Sequence, residues 1–326
     1  MTPRDRRSGA PRGSGAPGHG PRPKGRAPRA VDQPRSKAGE RRGRGAGDRH
    51  ASGAPPRGRG GLGGRGRRDS GLGGDQVEGR RAVRELLAAN RRSVREVWIA
   101  EGLDPSPQLD EIEELATRRR VRVETVSRAR LRAAARTETP QGVLARARPI
   151  EAIDLDELAA PRGGTAPFLV VVAGVTDPRN LGALLRSAEC AGATGVILPS
   201  HRAAHLSPTV AKVAAGAIEH LGFALVGGVP NALERLSSLG VWTLGLASDS
   251  RRSIYDVAIG DDPVGVVVGG EERGLAPLVR RRCDEVVAIP QHGALESLNA
   301  AVAAAVACFE VARRRAEAIG TRGALG

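Results

Sequence analysis

The sequence predicts an α/β fold in which helices cover both faces of a parallel sheet. The first observation is that, from residue 168 onward, short runs of Val, Ile and Leu alternate with helical segments. Such continuous apolar strands are typical of parallel sheets, because both faces of each strand are buried. The second is a shorter set of strand and helix patterns over residues 75–148. The third is that residues 1–74 contain almost no large apolar residue and therefore cannot form a core.

Residues 1–74 are predicted to be a disordered tail rich in Arg, Gly and Pro. This segment contains 19 of the 51 Lys and Arg residues and 5 of the 36 Asp and Glu residues. Its formal charge is therefore +14 of the chain's +15, and the remainder of the chain is close to neutral. Scattered arginines suit loose, salt-sensitive contact with RNA phosphates. A purely solubilising extension is the alternative.

Residues 75–148 are predicted to form a small α/β domain. Apolar positions at helical spacing and short alternating segments define its elements, in this order: a helix over 77–90, a strand over 95–100, a helix over 107–120, and strands over 121–126 and 142–149. Residues 149–165 are rich in Pro, Gly and acidic side chains, and we predict a linker there.

Residues 166–318 are predicted to form the larger domain, with a flexible C-terminus over 319–326. Strands and helices alternate along this part of the chain, which favours a parallel sheet. The predicted strands are 168–175, 195–199, 223–228, 241–247, 264–270 and 285–290. The predicted helices are 180–192, 207–218, 230–240, 275–283 and 297–318.

Cysteine usage and hydropathy indicate a cytoplasmic protein without a metal site. The three cysteines, Cys190, Cys283 and Cys308, form no paired motif, which favours a reducing compartment. Cys190 and Cys308 lie in Ala-rich helical runs and are predicted to be core residues. No apolar run reaches the ~18 residues of a membrane span, and the N-terminus lacks the apolar segment of a signal peptide. His201 and His205 are four residues apart but have no third ligand nearby.

A glycine-rich turn follows the apolar run 264–268, and its residues are Gly269, Gly270, Glu271 and Glu272. The turn lacks the Gly-Lys-Ser/Thr of a phosphate-binding loop and the glycine spacing of a dinucleotide fold. Two carboxylates at a helix N-terminus would repel a pyrophosphate, so the pattern favours a neutral or cationic ligand. S-adenosylmethionine meets that requirement. The alternative is that the glutamates only complement the helix dipole.

Two further turns between a strand and a helix contain polar residues of interest. In the first, Asn180 stands where an N-cap belongs, and Arg186 follows among apolar neighbours, where a charged side chain needs a partner. In the second, Ser297, Leu298 and Asn299 open a helix too rich in Ala and Val to face water. Asn180 and Ser297 could each be plain helix caps. Three such turns in one chain nevertheless suggest a common site.

The three turns together resemble the motifs of a known enzyme family. Segments 177–193 (DPRNLGALLRSAECAGA), 268–290 (VGGEERGLAPLVRRRCDEVVAIP) and 297–310 (SLNAAVAAAVACFE) are similar to those of the SpoU (TrmH-like) branch of the SPOUT RNA 2′-O-ribose methyltransferases. The nearest likeness is to bacterial enzymes that methylate a guanosine ribose in 23S rRNA. Residues 77–148, which open with VEGRRAV and close near PQGVLA, resemble the family's ribosomal-protein-like (L30e-like) substrate-binding domain.

The resemblance implies a topology that the strand and helix pattern does not. In this family the C-terminal part of the chain passes through a loop to form a trefoil knot that holds S-adenosylmethionine. The pattern alone predicts a plain doubly wound sheet, since knots are essentially absent from ordinary folds. The resemblance also implies a homodimer with the site near the subunit interface, which would account for the apolar final helix.

The resemblance assigns roles to eight residues. The positions that line the cofactor pocket, largely through backbone groups, are Gly269, Ile289 and Leu298. The polar positions of the catalytic motifs are Asn180, Arg186, Glu271, Ser297 and Asn299. The family's proposed activator of the 2′-hydroxyl corresponds to Arg186. A guanidinium holds its proton at neutral pH and is a poor base, so clamping an RNA phosphate is the safer role.

Three functions are consistent with these features. The first is methyl transfer from S-adenosylmethionine to a ribose of 23S rRNA. The second is the same reaction on a tRNA, although relatives that act on tRNA often lack the small domain. The third is a non-catalytic RNA-binding or ribosome-assembly factor of the same fold, which the intact polar positions disfavour.

Overall fold

The computed structural model describes residues 72–201, 205–295 and 297–323, with side chains up to residue 320. Almost all of the predicted tail therefore lies outside the described residues. Its last three residues differ from the prediction. Leu72 is 1% exposed and belongs to the core of the larger domain, and its N–H donates to the carbonyl of Ile150. Leu72 therefore belongs to the larger domain and not to the predicted tail, because its apolar side chain is buried.

The small domain is a four-stranded mixed sheet with three helices. Its strands are β1 (Gln76–Glu78), β2 (Val94–Ala100), β3 (Arg122–Val126) and β4 (Val143–Ala147), and its helices are α1 (Arg80–Ala89), α2 (Pro107–Arg118) and α3 (Arg128–Ala134). The strand order is β1-β4-β2-β3, and only β2 and β3 are parallel. The predicted helix 77–90 is partly wrong: Gly79, with φ +96°, separates β1 from α1. Helix α3 was not predicted.

The helices of the small domain lie on opposite faces of its sheet. Helices α1 and α2 contribute Leu86 and Ile112 to the cluster on one face. Helix α3 contributes Leu131 to the other face, where it packs with Trp98 and Leu144. A side chain on α3 is therefore separated from α1 by the whole thickness of the sheet.

The predicted linker contains a short helix. Helix α4 (Leu155–Leu158) follows Asp154, whose carboxylate accepts a hydrogen bond from the Asp156 N–H. Leu158 is 3% exposed and packs on the larger sheet, so this part of the segment belongs to the core.

The larger domain is a six-stranded sheet in the order β10-β8-β9-β5-β6-β7, and every adjacent pair is parallel. Its strands are β5 (Phe168–Ala173), β6 (Gly195–Pro199), β7 (Gly222–Val226), β8 (Trp242–Leu246), β9 (Val264–Gly269) and β10 (Glu285–Val287). Its helices are α5 (Pro178–Cys190), α6 (Pro208–Val213), α7 (Val229–Ser238), α8 (Pro277–Arg282) and α9 (Ala300–Gly323). The prediction of an α/β fold with a parallel sheet is confirmed.

Helices cover both faces of this sheet. Helices α5, α6 and α9 pack on one face, through residues such as Leu184, Val210 and Ala307. Helices α4, α7 and α8 pack on the other face. Helix α9 continues to Gly323, so most of the segment predicted to be a flexible C-terminus is helical. Cys308 on α9 is buried as predicted, but Cys190 at the end of α5 is exposed.

A buried ion pair joins the small domain to the larger one. Arg92 donates from its Nε and Nη2 to the two carboxylate oxygens of Glu219, at 2.8 and 2.6 Å. The two side chains are 8% and 2% exposed. Arg91 adds hydrogen bonds to the backbone carbonyls of Glu219 and Leu221.

No helix among the described residues is both long and apolar enough to cross a membrane.

Candidate active site

A cleft of about 370 Å³ lies at the carboxyl ends of β8, β9 and β10. In open α/β sheets, ligands bind at this edge because the connecting loops converge there. The lining includes all three residues predicted to bind the cofactor, Gly269, Ile289 and Leu298, as well as Glu271 and Ser297. The structure thus brings together the turn at residues 269–272 and the turn at residues 297–299.

The glycine turn after β9 is closed too tightly to admit a side chain at its first position. A β-carbon at Gly269 would lie 2.6 Å from the backbone nitrogen of Leu275. One at Gly270 would lie 2.6 Å from the carbonyl oxygen of Gly174. Gly270 and Gly274 exchange backbone hydrogen bonds of 3.2 and 3.0 Å. Steric exclusion therefore keeps this wall of the cleft as bare backbone.

Asn180 links the first motif to the other two. Its Nδ2 donates to Oε1 of Glu271 at 2.6 Å, and its Oδ1 accepts from Nδ2 of Asn299 at 3.0 Å. These three residues come from α5, from the loop after β9 and from the start of α9. Since each amide is both donor and acceptor in the chain of hydrogen bonds, the network holds three turns in one arrangement.

The helix caps differ from those expected, and the difference frees Asn180. Helix α5 is capped by Asp177, whose Oδ1 accepts from the Arg179 N–H at 2.7 Å. Helix α9 is capped by Asn299, whose Oδ1 accepts from the N–H groups of Ala301 and Val302. Neither Asn180 nor Ser297 is a cap, because each helix begins at a different residue than the sequence pattern suggested. The plain-cap interpretation of Asn180 and Ser297 is therefore wrong.

Arg186 lies outside the cofactor cleft. It is exposed and is absent from the cleft lining, and it forms part of a second groove beside the small domain. The prediction that Arg186 lies near the buried face and needs a partner is wrong. The neighbours Leu184 and Leu185 are buried, but the Arg186 side chain lies on the outer face of α5.

An ion pair on the cleft wall was not anticipated. Nη1 of Arg280 contacts the Asp249 carboxylate at 2.7 Å, and this guanidinium lowers the pKa of Asp249. Asp249 comes shortly after the end of β8. A polar residue at the carboxyl end of a parallel strand is the sequence feature that could have predicted this part of the site. Cys283 does not offer a reactive thiol nearby, because burial raises its pKa to about 11.

The cleft fits a nucleoside cofactor without phosphates. Two of its loop residues, Ile289 and Leu298, have backbone N–H and C=O groups without a hydrogen-bond partner in the described part of the chain. Such groups can pair with the edges of an adenine. The lining contains both carboxylates and guanidiniums, those of Asp249, Glu271, Glu272, Arg273 and Arg280. Arg280 is paired with Asp249, so the cleft lacks the excess of positive charge that a pyrophosphate needs. The residues therefore fit S-adenosylmethionine.

Comparison with known proteins identifies the family. Residues 167–309 match the SpoU rRNA methylase family, and residues 76–152 match the domain described as RNA 2′-O ribose methyltransferase substrate binding. The 23S rRNA (guanosine-2′-O-)-methyltransferase RlmB of Pseudomonas putida is 37% identical over 244 residues, which are 74% of this chain and 97% of that protein. RlmB of Ralstonia nicotianae is 38% identical over 73% of this chain and 94% of that protein. The chain belongs to the SpoU methylase family, which confirms the predicted resemblance.

Solved structures share the fold. The SpoU methyltransferase AviRb from Streptomyces viridochromogenes, solved with the cofactor AdoMet, superposes with a TM-score of 0.61 at 25% identity. The match covers 74% of this chain and 90% of that one. A structure described as an RNA 2′-O ribose methyltransferase gives a TM-score of 0.62 at 25% identity, over 73% and 88% of the two chains.

Proposed function

We propose that this protein transfers a methyl group from S-adenosylmethionine to the 2′-hydroxyl of a guanosine ribose in 23S rRNA. The observation that carries the proposal is the Asn180–Glu271–Asn299 network, which joins all three family motifs beside the cleft. The RlmB relatives, which bear that activity in their names, match both domains and most of their own length.

The cofactor supplies an electrophilic methyl group on a sulfonium. The chain's contribution is to hold that group and the ribose hydroxyl in line, and alignment of this kind can lower a barrier by ~7–11 kcal/mol in favourable cases. Gly269, Ile289 and Leu298 hold the nucleoside through their backbone groups. Glu271 and Asn299 order the loops around it, and Asn180 ties those two side chains together.

Ser297 and Arg186 act on the RNA. Ser297 lines the cleft and has no hydrogen-bond partner within the described chain, so its hydroxyl is free to contact the ribose. Arg186 carries a permanent positive charge outside the cleft, which suits contact with a phosphate and not abstraction of a proton.

The chain around the cleft is knotted in our proposal. Ala288, directly after β10, donates to the carbonyl of Arg252 and accepts from the N–H of Ile254. Both partners belong to the long connection between β8 and β9. Helix α9 then packs against α5 and β9. The chain thus runs from Ala288, in contact with the β8–β9 connection, to α9, which packs on β9 and α5. This route supports threading of the C-terminal segment through the β8–β9 connection.

We also propose a homodimer whose interface includes α9. Leu298, Val302 and Phe309 are 40%, 49% and 51% exposed. Val302 and Phe309 are seven residues apart, which places them on one side of α9, and Leu298 lies just before the helix begins. An exposed apolar stripe of this kind is typical of an interface. Because Leu298 also lines the cleft, the partner subunit would lie beside the active site.

The dimer is tested by the double variant Val302→Glu with Phe309→Glu, measured by sedimentation velocity. We expect monomers for this variant and dimers for the wild type. The control is Leu278→Glu, because Leu278 is 46% exposed on α8 and outside the stripe. A wild-type monomer, or a double variant that remains dimeric, would contradict the proposal.

The RNA substrate is tested with labelled S-adenosylmethionine and purified 23S rRNA or tRNA from a strain that lacks the gene. We expect label in 23S rRNA alone and a single ribose-methylated guanosine on mapping. Label in tRNA would favour the tRNA alternative. Normal cofactor binding without transfer to either RNA would favour the non-catalytic factor. An enzyme acting on ribosomal RNA would be expected in the cytoplasm.

A further inference from the structure

A second groove, of about 720 Å³, separates the small domain from α5 and α6. Arg80 and Arg81 at the start of α1 line one side, together with Gln141. Arg186 of α5 and Lys212 of α6 line the other side. Four cationic side chains from two domains thus meet across one concave surface, to which the cofactor cleft does not extend.

Two of these cations have no partner of their own. Arg81 and Arg186 are exposed and form neither hydrogen bonds nor ion pairs with any residue that the structure describes. Other arginines of the small domain do have carboxylate partners, as Arg84 has in Glu111 and Arg130 has in Glu124. The two unpaired guanidiniums therefore leave net positive charge on the groove.

The carboxylate on the groove wall does not cancel that charge by pairing with Arg81 or Arg186. Glu78 is fully buried, and its oxygens accept hydrogen bonds from Gln76 and from the backbone N–H groups of Arg136 and Thr137. Its lone pairs are occupied within the small domain.

The other two cations hold the groove in shape. Lys212 donates to both the carbonyl and the hydroxyl of Thr139, so α6 is tied to the loop before β4. Arg80 donates to the Ser106 hydroxyl at 3.0 Å within the small domain. The buried Arg92 pair described above fixes the two domains further along. These contacts set the distance between α1 and α5, the helices that carry the two unpaired arginines, before any ligand arrives.

Helix α5 connects the groove to the active site. Arg186 follows Asn180 by six residues, which corresponds to about 9 Å along the helix axis and about 120° around it. One helix therefore presents an amide to the cleft network and a guanidinium to the groove. An RNA bound in the groove would therefore lie against the same helix that carries Asn180.

We propose that this groove binds the sugar–phosphate backbone of the RNA substrate, with Arg81 and Arg186 contacting phosphates of the same strand. The proposal rests on the proposed function and adds the path of the substrate. Positively charged grooves that follow a backbone are a common means of binding single strands. Contacts to phosphates fix the position and register of an RNA without reading its bases. The groove therefore contributes affinity and register, while the choice of nucleotide is made elsewhere.

The test compares Arg81→Ala and Arg81→Glu with Arg132→Ala in the full-length protein. Arg132 is an exposed, unpaired arginine on α3, on the opposite face of the small sheet, and is the matched control within the described chain. RNA affinity is measured by filter binding of a 23S rRNA fragment at several salt concentrations. Cofactor affinity is measured by calorimetry.

We expect Arg81→Ala to weaken RNA binding roughly fivefold and to reduce the salt slope by about one, because one phosphate contact is lost. Arg81→Glu should weaken it further. The KM for RNA should rise while kcat and cofactor affinity stay near wild type, and Arg132→Ala should match wild type throughout. Equal affinities and slopes for the Arg81 and Arg132 variants would overturn the groove while wild-type methyl transfer still upheld the function. Absence of transfer by the wild type would overturn the function and, with it, this proposal.

Discussion

The two ends of α5 serve the protein in opposite ways. At its N-terminal end, Asn180 has both its amide nitrogen and its amide oxygen occupied by Glu271 and Asn299. Further along, Arg186 has no hydrogen bond or ion pair with the residues that the structure describes. One side chain is held by the protein itself, and the other remains available to a ligand.

The difference between these two side chains shows how one helix can contribute both to cofactor binding and to RNA binding. A small cofactor must be aligned with the reacting ribose, so the polar groups around it are fixed in advance by their neighbours. An RNA backbone is long and uniformly charged, so unpaired cations suffice to attract it and to place it. The cleft therefore depends on geometry, and the groove depends on charge.

The largest effect on function, the loss of cofactor binding, is expected where the cleft wall is bare backbone. Gly269→Ala should abolish cofactor binding and lower the free energy of unfolding by about 1–3 kcal/mol, because the new methyl group overlaps the Leu275 backbone. Calorimetry and thermal unfolding measure the two effects. The control is Gly265→Ala on the same strand, where the nearest atom would lie at an ordinary 3.6 Å. Normal cofactor binding by Gly269→Ala would show that the turn is not part of the site.

The next effect concerns the domain contact that shapes the groove. Arg92→Ala should lower the free energy of unfolding by about 3–5 kcal/mol, because it leaves Glu219 buried and unpaired. Chemical denaturation measures this loss. The double variant Arg92→Met with Glu219→Leu should recover most of it, since no buried charge remains. A loss below 1 kcal/mol, the range typical of an exposed pair, would mean that the domain contact opens in solution.

A smaller effect is expected for the network at the cleft. Asn180→Ala should lower kcat on the order of a hundredfold, because a displacement of about 1 Å at the reacting centre has that cost. Steady-state methylation of 23S rRNA measures the rate. RNA affinity should stay at the wild-type value, which distinguishes this end of α5 from the Arg186 end. Equal losses in RNA affinity and kcat for Asn180→Ala would contradict the separation of roles between Asn180 and Arg186.

The smallest effect is the one expected of salt concentration on RNA affinity. Raising the salt concentration from about 50 mM to about 200 mM should weaken RNA binding on the order of tenfold, because Arg81 and Arg186 each contact one phosphate in our proposal. Cofactor affinity should change less than about twofold, because short-range contacts dominate in the cleft. Filter binding and calorimetry on the wild type give both numbers. RNA binding insensitive to salt would contradict a role for the groove cations.

The sequence alone determined the order of strands and helices in the larger domain and the three turns of the site. Apolar runs and glycines act locally, so β5 to β10 all lie within or beside predicted strands. The eight site residues were predicted from resemblance, and their roles stay predictions. Local patterns were weaker in the small domain, where the three-residue strand β1 was merged with α1.

Only the tertiary structure decided which residues of those turns touch each other. Asn180 bonds to partners 91 and 119 positions away in the chain. No pattern within one helical turn carries that information, and the choice of Asp177 over Asn180 as helix cap depends on where α5 begins. The groove between the two domains is likewise lined by residues that are far apart in sequence. The sequence drew attention to Arg186 but not to Arg81, and only folding places the two on facing walls of one groove without carboxylate partners in the described part of the chain.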